Sequence, residues 1–190
     1  MKTINFVLSG LGGQGILFMT KILAMTALNK GFNILGAETH GMAQRGGSVV
    51  SHLRIGDARS SLIRAGAADF LISLDESEAY RYLPYLKKGG MLFANTGANA
   101  FPNSKVVEYL DQMQIKPKAM EAAKTAMELG SPKSTNLAMV AFYSAFGVGP
   151  LNSDDLRTTV ESISPGPFKE MNLKIFDTCH EKGRKMNLEN

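Results

Sequence analysis

One short stretch, residues 9–15, limits the folds open to this chain more than any other. It reads Ser-Gly-Leu-Gly-Gly-Gln-Gly and lies between an apolar run, residues 4–8, and a segment whose apolar residues keep helical spacing to about Asn29. A strand, a glycine-rich turn and a helix in this order form the first unit of nucleotide-binding α/β folds. Glycines at this spacing allow a tight turn, close approach of a ligand or a second backbone, and close packing of helix on strand.

The rest of the chain alternates between strand and helix patterns and then becomes mainly helical. Further strands are predicted at residues 32–37, 48–55, 69–74 and 91–95. Further helices are predicted at residues 76–86, 117–129, 134–146, 154–163 (capped by Ser153) and 168–182. Because a helix joins the first two strands, we predict that they are parallel neighbours with a right-handed crossover. The chain is thus predicted to form one domain over residues 1–190, a three-layer α/β/α fold with a mainly parallel, Rossmann-like sheet and C-terminal helices packed on it.

Four local patterns give more detailed expectations. Alternation in residues 48–55 indicates a half-buried strand, and residues 87–90, Lys-Lys-Gly-Gly, are typical of a helix end. Pro117 is suited to the first turn of a helix. The predicted helix at 137–146 is apolar on nearly all sides, so we expect another chain to bury part of it. Cys179 falls at core spacing in the last helix.

Composition excludes several classes of function. The single cysteine of the 190-residue chain rules out an internal disulfide framework and a four-cysteine zinc or iron–sulfur site. No run approaches the roughly 18 apolar residues of a membrane helix. Scattered bases, interleaved acids and a net charge of +4 argue against nucleic-acid binding. Three separated histidines predict no metal site, and a strand beginning almost at the N-terminus leads us to expect no signal peptide and a cytoplasmic protein.

A second loop motif makes the prediction more specific. Residues 38–49 read Glu-Thr-His-Gly-Met-Ala-Gln-Arg-Gly-Gly-Ser-Val. Together with the first glycine motif, this string resembles the gamma domain of 2-oxoacid:ferredoxin oxidoreductases. The form with Thr39-His40-Gly41 is most similar to the small (beta) subunit of the indolepyruvate type. Residues 134–138, Ser-Thr-Asn-Leu-Ala, and Asn172 at the last helix agree with that resemblance, which covers nearly the whole chain.

The resemblance implies a part of a larger enzyme. Such complexes oxidatively decarboxylate a 2-oxoacid, here an aryl pyruvate such as indolepyruvate, to an acyl-coenzyme A. Thiamine diphosphate with magnesium, and iron–sulfur clusters that reduce ferredoxin, carry out the chemistry, and coenzyme A is a co-substrate. Residues 56–58, Gly-Asp-Ala, lack the second glycine of a thiamine-binding Gly-Asp-Gly motif, and one cysteine cannot hold the clusters. We therefore expect these groups on a large partner subunit, which also receives ferredoxin, and no catalytic residue on this chain.

Ten residues of the two loops are candidates for contact with a cofactor or co-substrate. They are Gly10, Gly12, Gly13, Gln14, Gly15, Glu38, His40, Arg45, Gly46 and Gly47. The helix N-terminus after the first loop offers N–H groups to an anion. Arg45, between Gln44 and two glycines, is suited to a carboxylate or phosphate of coenzyme A or of the partner, and we favour the subunit interface. Glu38 either caps its loop or pairs with Arg45.

Two other functions remain open from the residues alone. Glu38 lies 23 residues after Gly15, where a dinucleotide-binding fold places the acid that binds a ribose hydroxyl, which suggests a free-standing NAD-dependent oxidoreductase. The same glycine motif occurs in adenylating enzymes of the ubiquitin-activating type. Against that second alternative, no zinc cysteines and no catalytic cysteine loop follow.

Overall fold

The computed structural model describes residues 2–40, 46–97 and 101–189 of the chain. Its strands are β1 Ile4–Leu11, β2 Ile34–His40, β3 Ser48–Ile55, β4 Ala68–Ser73, β5 Leu86–Asn95 and β6 Lys116–Met120. Its helices are α1 Ile16–Asn29, α2 Glu76–Tyr82, α3 Ser104–Gln112, α4 Ala122–Glu128, α5 Thr135–Ser144, α6 Ser153–Ile163 and α7 Lys169–Leu188. Short 3₁₀ turns cover Leu83–Tyr85 and Gly166–Phe168.

The six strands form one sheet in the order β2-β3-β1-β4-β5-β6. Strands β1, β4, β5 and β6 pair in parallel, whereas β3 is antiparallel to both β1 and β2. The predicted α/β class with a mainly parallel sheet is confirmed. The predicted pairing of the first two strands is wrong, because the chain turns back after β2 and inserts β3 between them. A short connection favours antiparallel pairing of strands that follow each other in sequence.

Strand β3 is buried on both faces, so the prediction of a half-buried strand is also wrong. Val49 and Leu53 face α1, while Val50 and His52 face the opposite layer and are equally buried. The Nδ1 atom of His52 accepts a hydrogen bond of 3.1 Å from the backbone N–H of Ile63. Burial lowers the pKa of His52, which favours the neutral imidazole.

Two predicted helices differ from the structure around β5 and β6. Helix α2 ends at Tyr82, and Lys87 lies within β5, where its ammonium pairs with Asp69 of β4. Pro117 lies in β6 rather than in a first helical turn. A proline is tolerated there because β6 is the last strand of the sheet and needs ladder bonds on one side only.

Helices cover the two faces of the sheet unequally. One face, here called the thick face, carries α1, α4, α5, α6 and α7. Its core contains the ring cluster of Phe6, Phe70, Phe93, Phe142 and Tyr143. The other face, here called the thin face, carries α2 and α3, which cover side chains smaller than the rings of the thick face.

Helix α5 lies on the thick face, and all ten of its residues are buried by this chain, mostly beneath α7. The expectation that another chain buries part of it is therefore wrong. Cys179 is fully buried, which confirms its core position, and burial raises the pKa of its thiol to about 11.

Among the described helices, none has both the length and the apolar character needed to cross a membrane.

Candidate functional site

Those candidate residues that the structure describes lie towards the edge of the sheet where β1, β4, β5 and β6 end and β3 begins, here called the carboxyl edge. The turn after β1 passes through Gly10, which is buried. A Cβ atom on Gly10 would lie 2.6 Å from Gln14 Oε1 and 3.1 Å from the Cβ of Leu74. Glycine is therefore required here for close packing between the turn and the end of β4.

Gln14 holds the first loop in shape with its own side chain. Its Oε1 atom accepts a 2.7 Å hydrogen bond from the N–H of Leu11, and its Nε2 atom lies 3.4 Å from the carbonyl oxygen of Leu74. The amide is thus used within the fold and braces β1 against β4. Sequence reasoning placed Gln14 among ligand contacts and did not foresee this bracing role.

Gly15 is the N-cap of α1 and has a positive φ of 84°. Its carbonyl oxygen accepts a 3.2 Å hydrogen bond from Nδ2 of Asn136, and a Cβ atom at Gly15 would stand 2.1 Å from that nitrogen. Backbone conformation and contact both require glycine here. Asn136 belongs to the later motif at 134–138, so two distant motifs meet at the start of α1.

The two glycine loops touch directly. The N–H of Gly12 donates a 2.8 Å hydrogen bond to the carbonyl oxygen of Gly47, and the closest backbone atom to a Cβ at Gly12 would be the nitrogen of Gly46, at 3.5 Å. Gly12 therefore admits a second backbone. Gly13 and Gly46 are exposed beside this contact, and a Cβ atom at either would have open space around it within the described part of the chain.

The loops meet for a reason that differs from the predicted one. They are brought together because antiparallel β3 starts at the carboxyl edge, not because β1 and β2 are neighbours. Glu38 is exposed on the outer strand β2, separated from β1 by β3. His40 is the last residue of β2. Arg45 lies outside the described residues.

A buried carboxylate on α2 holds Ser48, the first residue of β3 directly after the second loop. Glu78 is 2% exposed and accepts a hydrogen bond from the hydroxyl of Ser48, whose Oγ also lies 3.0 Å from the hydroxyl of Tyr82. Arg81 donates a 2.9 Å hydrogen bond to the other carboxylate oxygen of Glu78. Sequence reasoning missed Glu78, because a glutamate in the first turn of a surface helix is ordinary and carries no sign of burial.

Asn95, also missed, joins the ends of three elements. Its Nδ2 atom donates to the carbonyl oxygen of Leu74 at 3.0 Å, and its Oδ1 atom accepts from the N–H of Ala123 in α4 at 3.0 Å. The carbonyl oxygen of Leu74 is thus contacted by the side-chain amides of both Gln14 and Asn95. An asparagine at the end of a predicted strand is the only sequence signal for this role.

The donor groups of the chain do not fit an iron–sulfur cluster. Cys179, the one cysteine, is fully buried in the core of the thick face. In the part of the chain that the structure describes, no three His, Cys, Asp or Glu side chains are grouped as metal ligands. His52 and His180 are engaged within the fold, the latter with Ser144 Oγ at 2.9 Å.

Comparison with known proteins agrees with the resemblance predicted from the two loops. The sequence profile of the family described as pyruvate ferredoxin/flavodoxin oxidoreductase matches residues 5–181. Indolepyruvate oxidoreductase subunit IorB of Pyrococcus horikoshii is 31% identical over 199 aligned positions, which cover 98% of each chain.

Solved structures show the same fold. The gamma subunit of a keto/oxoacid ferredoxin oxidoreductase from Geobacter sulfurreducens superposes with a TM-score of 0.72 at 22% identity, covering 98% of this chain and 99% of that one. A 2-oxoglutarate:ferredoxin oxidoreductase from Magnetococcus marinus superposes with a TM-score of 0.74 at 15% identity, covering all of this chain and 32% of that one. The fold thus occurs both alone and as part of a longer chain.

Proposed function

Because the chain belongs to the pyruvate ferredoxin/flavodoxin oxidoreductase family, we propose that it is the small, non-catalytic subunit of an indolepyruvate-type 2-oxoacid:ferredoxin oxidoreductase. The observation that carries this proposal is the match to IorB along almost the whole of both chains. In the proposed complex, an aryl pyruvate such as indolepyruvate is oxidatively decarboxylated to its acyl-coenzyme A, and ferredoxin accepts the electrons.

The cofactors of that reaction are assigned to the large partner subunit. The single buried cysteine here leaves no ligand set for a cluster, and the sequence contains no thiamine-binding Gly-Asp-Gly motif. The complex as a whole would therefore obtain thiamine diphosphate, magnesium and iron–sulfur clusters from the partner, through which ferredoxin is also reached. This chain would act in the cytoplasm as part of that assembly.

The carboxyl edge is the surface that we assign to the large subunit. Gly13 and Gly46 are exposed there beside the Gly12–Gly47 hydrogen bond, so another backbone can approach closely. Uncapped N–H groups at the start of α1 supply a partial positive charge, and Arg45 would add a guanidinium. We propose that this edge docks on the thiamine-bearing chain and borders the path of coenzyme A.

The fold disfavours the NAD-dependent alternative. In a dinucleotide-binding fold, the acid that binds the ribose follows the strand beside the glycine turn. Here β3 lies between β1 and β2, which moves Glu38 away from that turn by one further strand spacing of about 4.8 Å. A titration of the isolated chain with NADH should be flat.

Reconstitution tests the proposal directly. The isolated chain should reduce no viologen with indolepyruvate and coenzyme A, and activity should appear when the large subunit is added. Turnover by this chain alone, or full activity of the large subunit without it, would contradict the assignment.

Arg45→Ala tests the docking edge within that assay. Loss of a charged contact buried in the complex typically costs about 2–5 kcal/mol, so assembly should weaken strongly or the KM for coenzyme A should rise. Arg64→Ala, which removes an exposed arginine far along the chain from both loops, is the matched control. Equal behaviour of the two variants would show that Arg45 has no part in assembly or coenzyme A binding.

A further inference from the structure

The two outer strands of the sheet differ in how they are protected against pairing with another strand. Strand β6 has the sequence Lys-Pro-Lys-Ala-Met, so two lysines and a proline discourage pairing at its outer side. Strand β2 has the sequence Ile-Leu-Gly-Ala-Glu-Thr-His, with neither lysine nor proline over seven residues. Among the described residues, β2 pairs with β3 on one side and with no strand on the other.

The hydrogen-bonding pattern shows which backbone groups of β2 point outward. The N–H of Gly56 donates a 2.8 Å hydrogen bond to the carbonyl oxygen of Asn33, immediately before the β2–β3 ladder. Bonded pairs alternate along an antiparallel ladder, so odd-numbered residues of β2 bond to β3. The N–H and C=O groups of Ile34, Gly36, Glu38 and His40 therefore point away from the sheet.

An exposed apolar stripe on α1 lies beside this edge. Thr20 of α1 lines a groove of about 370 Å³ together with Gly36 and Glu38 of β2. At 3.6 residues per turn, Leu17, Ala24 and Leu28 lie within about 80° of Thr20 around the helix. Leu17 is 48% exposed and Leu28 is 53% exposed, although both are large apolar side chains.

We propose that β2 pairs antiparallel with β2 of a second copy of this chain, extending the sheet across a twofold axis at Ala37. This register brings all four outward-facing residues into hydrogen-bonded pairs, Ile34 with His40 and Gly36 with Glu38 of the other copy. A register centred on Gly36 would leave His40 without a strand partner. The proposal concerns the chain by itself and does not depend on the large subunit.

The surfaces around the axis are complementary to themselves. The twofold axis places the two α1 helices on the same face of the sheet, antiparallel to each other, with exposed Leu17 and Leu28 of each copy on the helices that flank the boundary. Glu38 then lies opposite Gly36 of the other copy, which lines the groove with Thr20, the residue directly before Lys21. Glu38 and Lys21 are both exposed, and neither has an ion-pair partner among the described residues, so the dimer supplies two opposite-charge contacts.

A cysteine cross-link tests the register. Two Ala37 residues would face each other as a non-hydrogen-bonded pair with Cα atoms about 4.5 Å apart, within disulfide range. Ala37→Cys should give a covalent dimer on mild oxidation, and native Cys179 will not interfere because it is fully buried. Ala119→Cys, also half-buried but on β6, is the matched control and should stay monomeric under the same conditions.

Sedimentation of the full chain provides the second measurement. The unmodified protein should sediment at twice its 20.5 kDa mass. Glu38→Lys and Lys21→Glu should each weaken the dimer roughly tenfold, and the double exchange should restore it. A strict monomer, equal cross-linking at Ala119→Cys, or cross-linking of Ala37→Cys to the large subunit instead of to a second copy would overturn the proposal.

Discussion

The two faces of the sheet are covered in different ways, and they differ in how much of the buried core they carry. On the thick face, α5 lies between the sheet and α7, so that even its polar residues are removed from solvent. On the thin face, α2 and α3 cover smaller side chains in a single layer. The thin face also supplies Glu78, which hydrogen-bonds Ser48 directly after the second glycine loop. Both faces therefore hold the carboxyl edge, the thick face through Asn136 and Ala123 and the thin face through Glu78, but the thick face carries more of the buried core.

The largest expected effect of a single change is the loss of an aromatic ring on the thick face. Phe142 is fully buried and its ring contacts those of Phe93 and Phe146, so Phe142→Ala should lower the free energy of unfolding by about 3–5 kcal/mol. Leu110→Ala in α3 removes a buried side chain from the thin face and should cost about 2 kcal/mol. Urea denaturation of both variants gives the comparison, and an equal loss would remove the distinction between the faces.

A pH dependence should reveal how completely the thick face excludes water. Burial raises the pKa of Cys179 from 9.0 to about 11, so the unfolded chain loses this proton at lower pH than the folded chain does. The contribution of this thiol to the free energy of unfolding is fully present below pH 9. It falls by about 2–3 kcal/mol in total as the pH rises from 9 to 11. Denaturation of the unmodified protein and of Cys179→Ala across that range measures the difference. A constant difference between the two proteins would mean that water reaches the thiol.

The smallest expected effect on stability concerns the thin face, where the effect on assembly should be larger. Glu78→Gln keeps the shape of the side chain but removes the charge that Ser48 and Arg81 contact, which should cost about 1–2 kcal/mol. Because Ser48 follows Gly47 directly, the variant should also weaken reconstitution with the large subunit. Tyr82→Phe, which removes only the neighbouring hydroxyl, is the milder control. Unchanged assembly of Glu78→Gln would show that the loop keeps its position without this carboxylate.

Local sequence was sufficient for the elements that depend on neighbouring residues. The run before Ser9, the glycines after it and the helical spacing to Asn29 predict β1, the turn and α1, and all three are present. The same holds for Cys179, whose place on the apolar side of the last helix follows from its spacing. The two loop motifs also identified the family, because each is a contiguous string of residues.

Other features were decided only when distant segments came together. The position of β3 between β1 and β2 depends on which strands pair, and the local sequence of β1 and β2 does not indicate their partners. From sequence alone, Pro117 is suited to the start of a helix, but in the fold its segment pairs with β5. Likewise, the apolar surface of α5 suggests a partner chain, but in the fold α7 of the same chain covers it. Glu78 and Asn95 gain their roles from hydrogen-bonding groups 30 and 28 residues away, in Ser48 and Ala123. A sequence specifies periodicity and turns within a few residues, but hydrogen bonds and burial between distant residues exist only after the chain has folded.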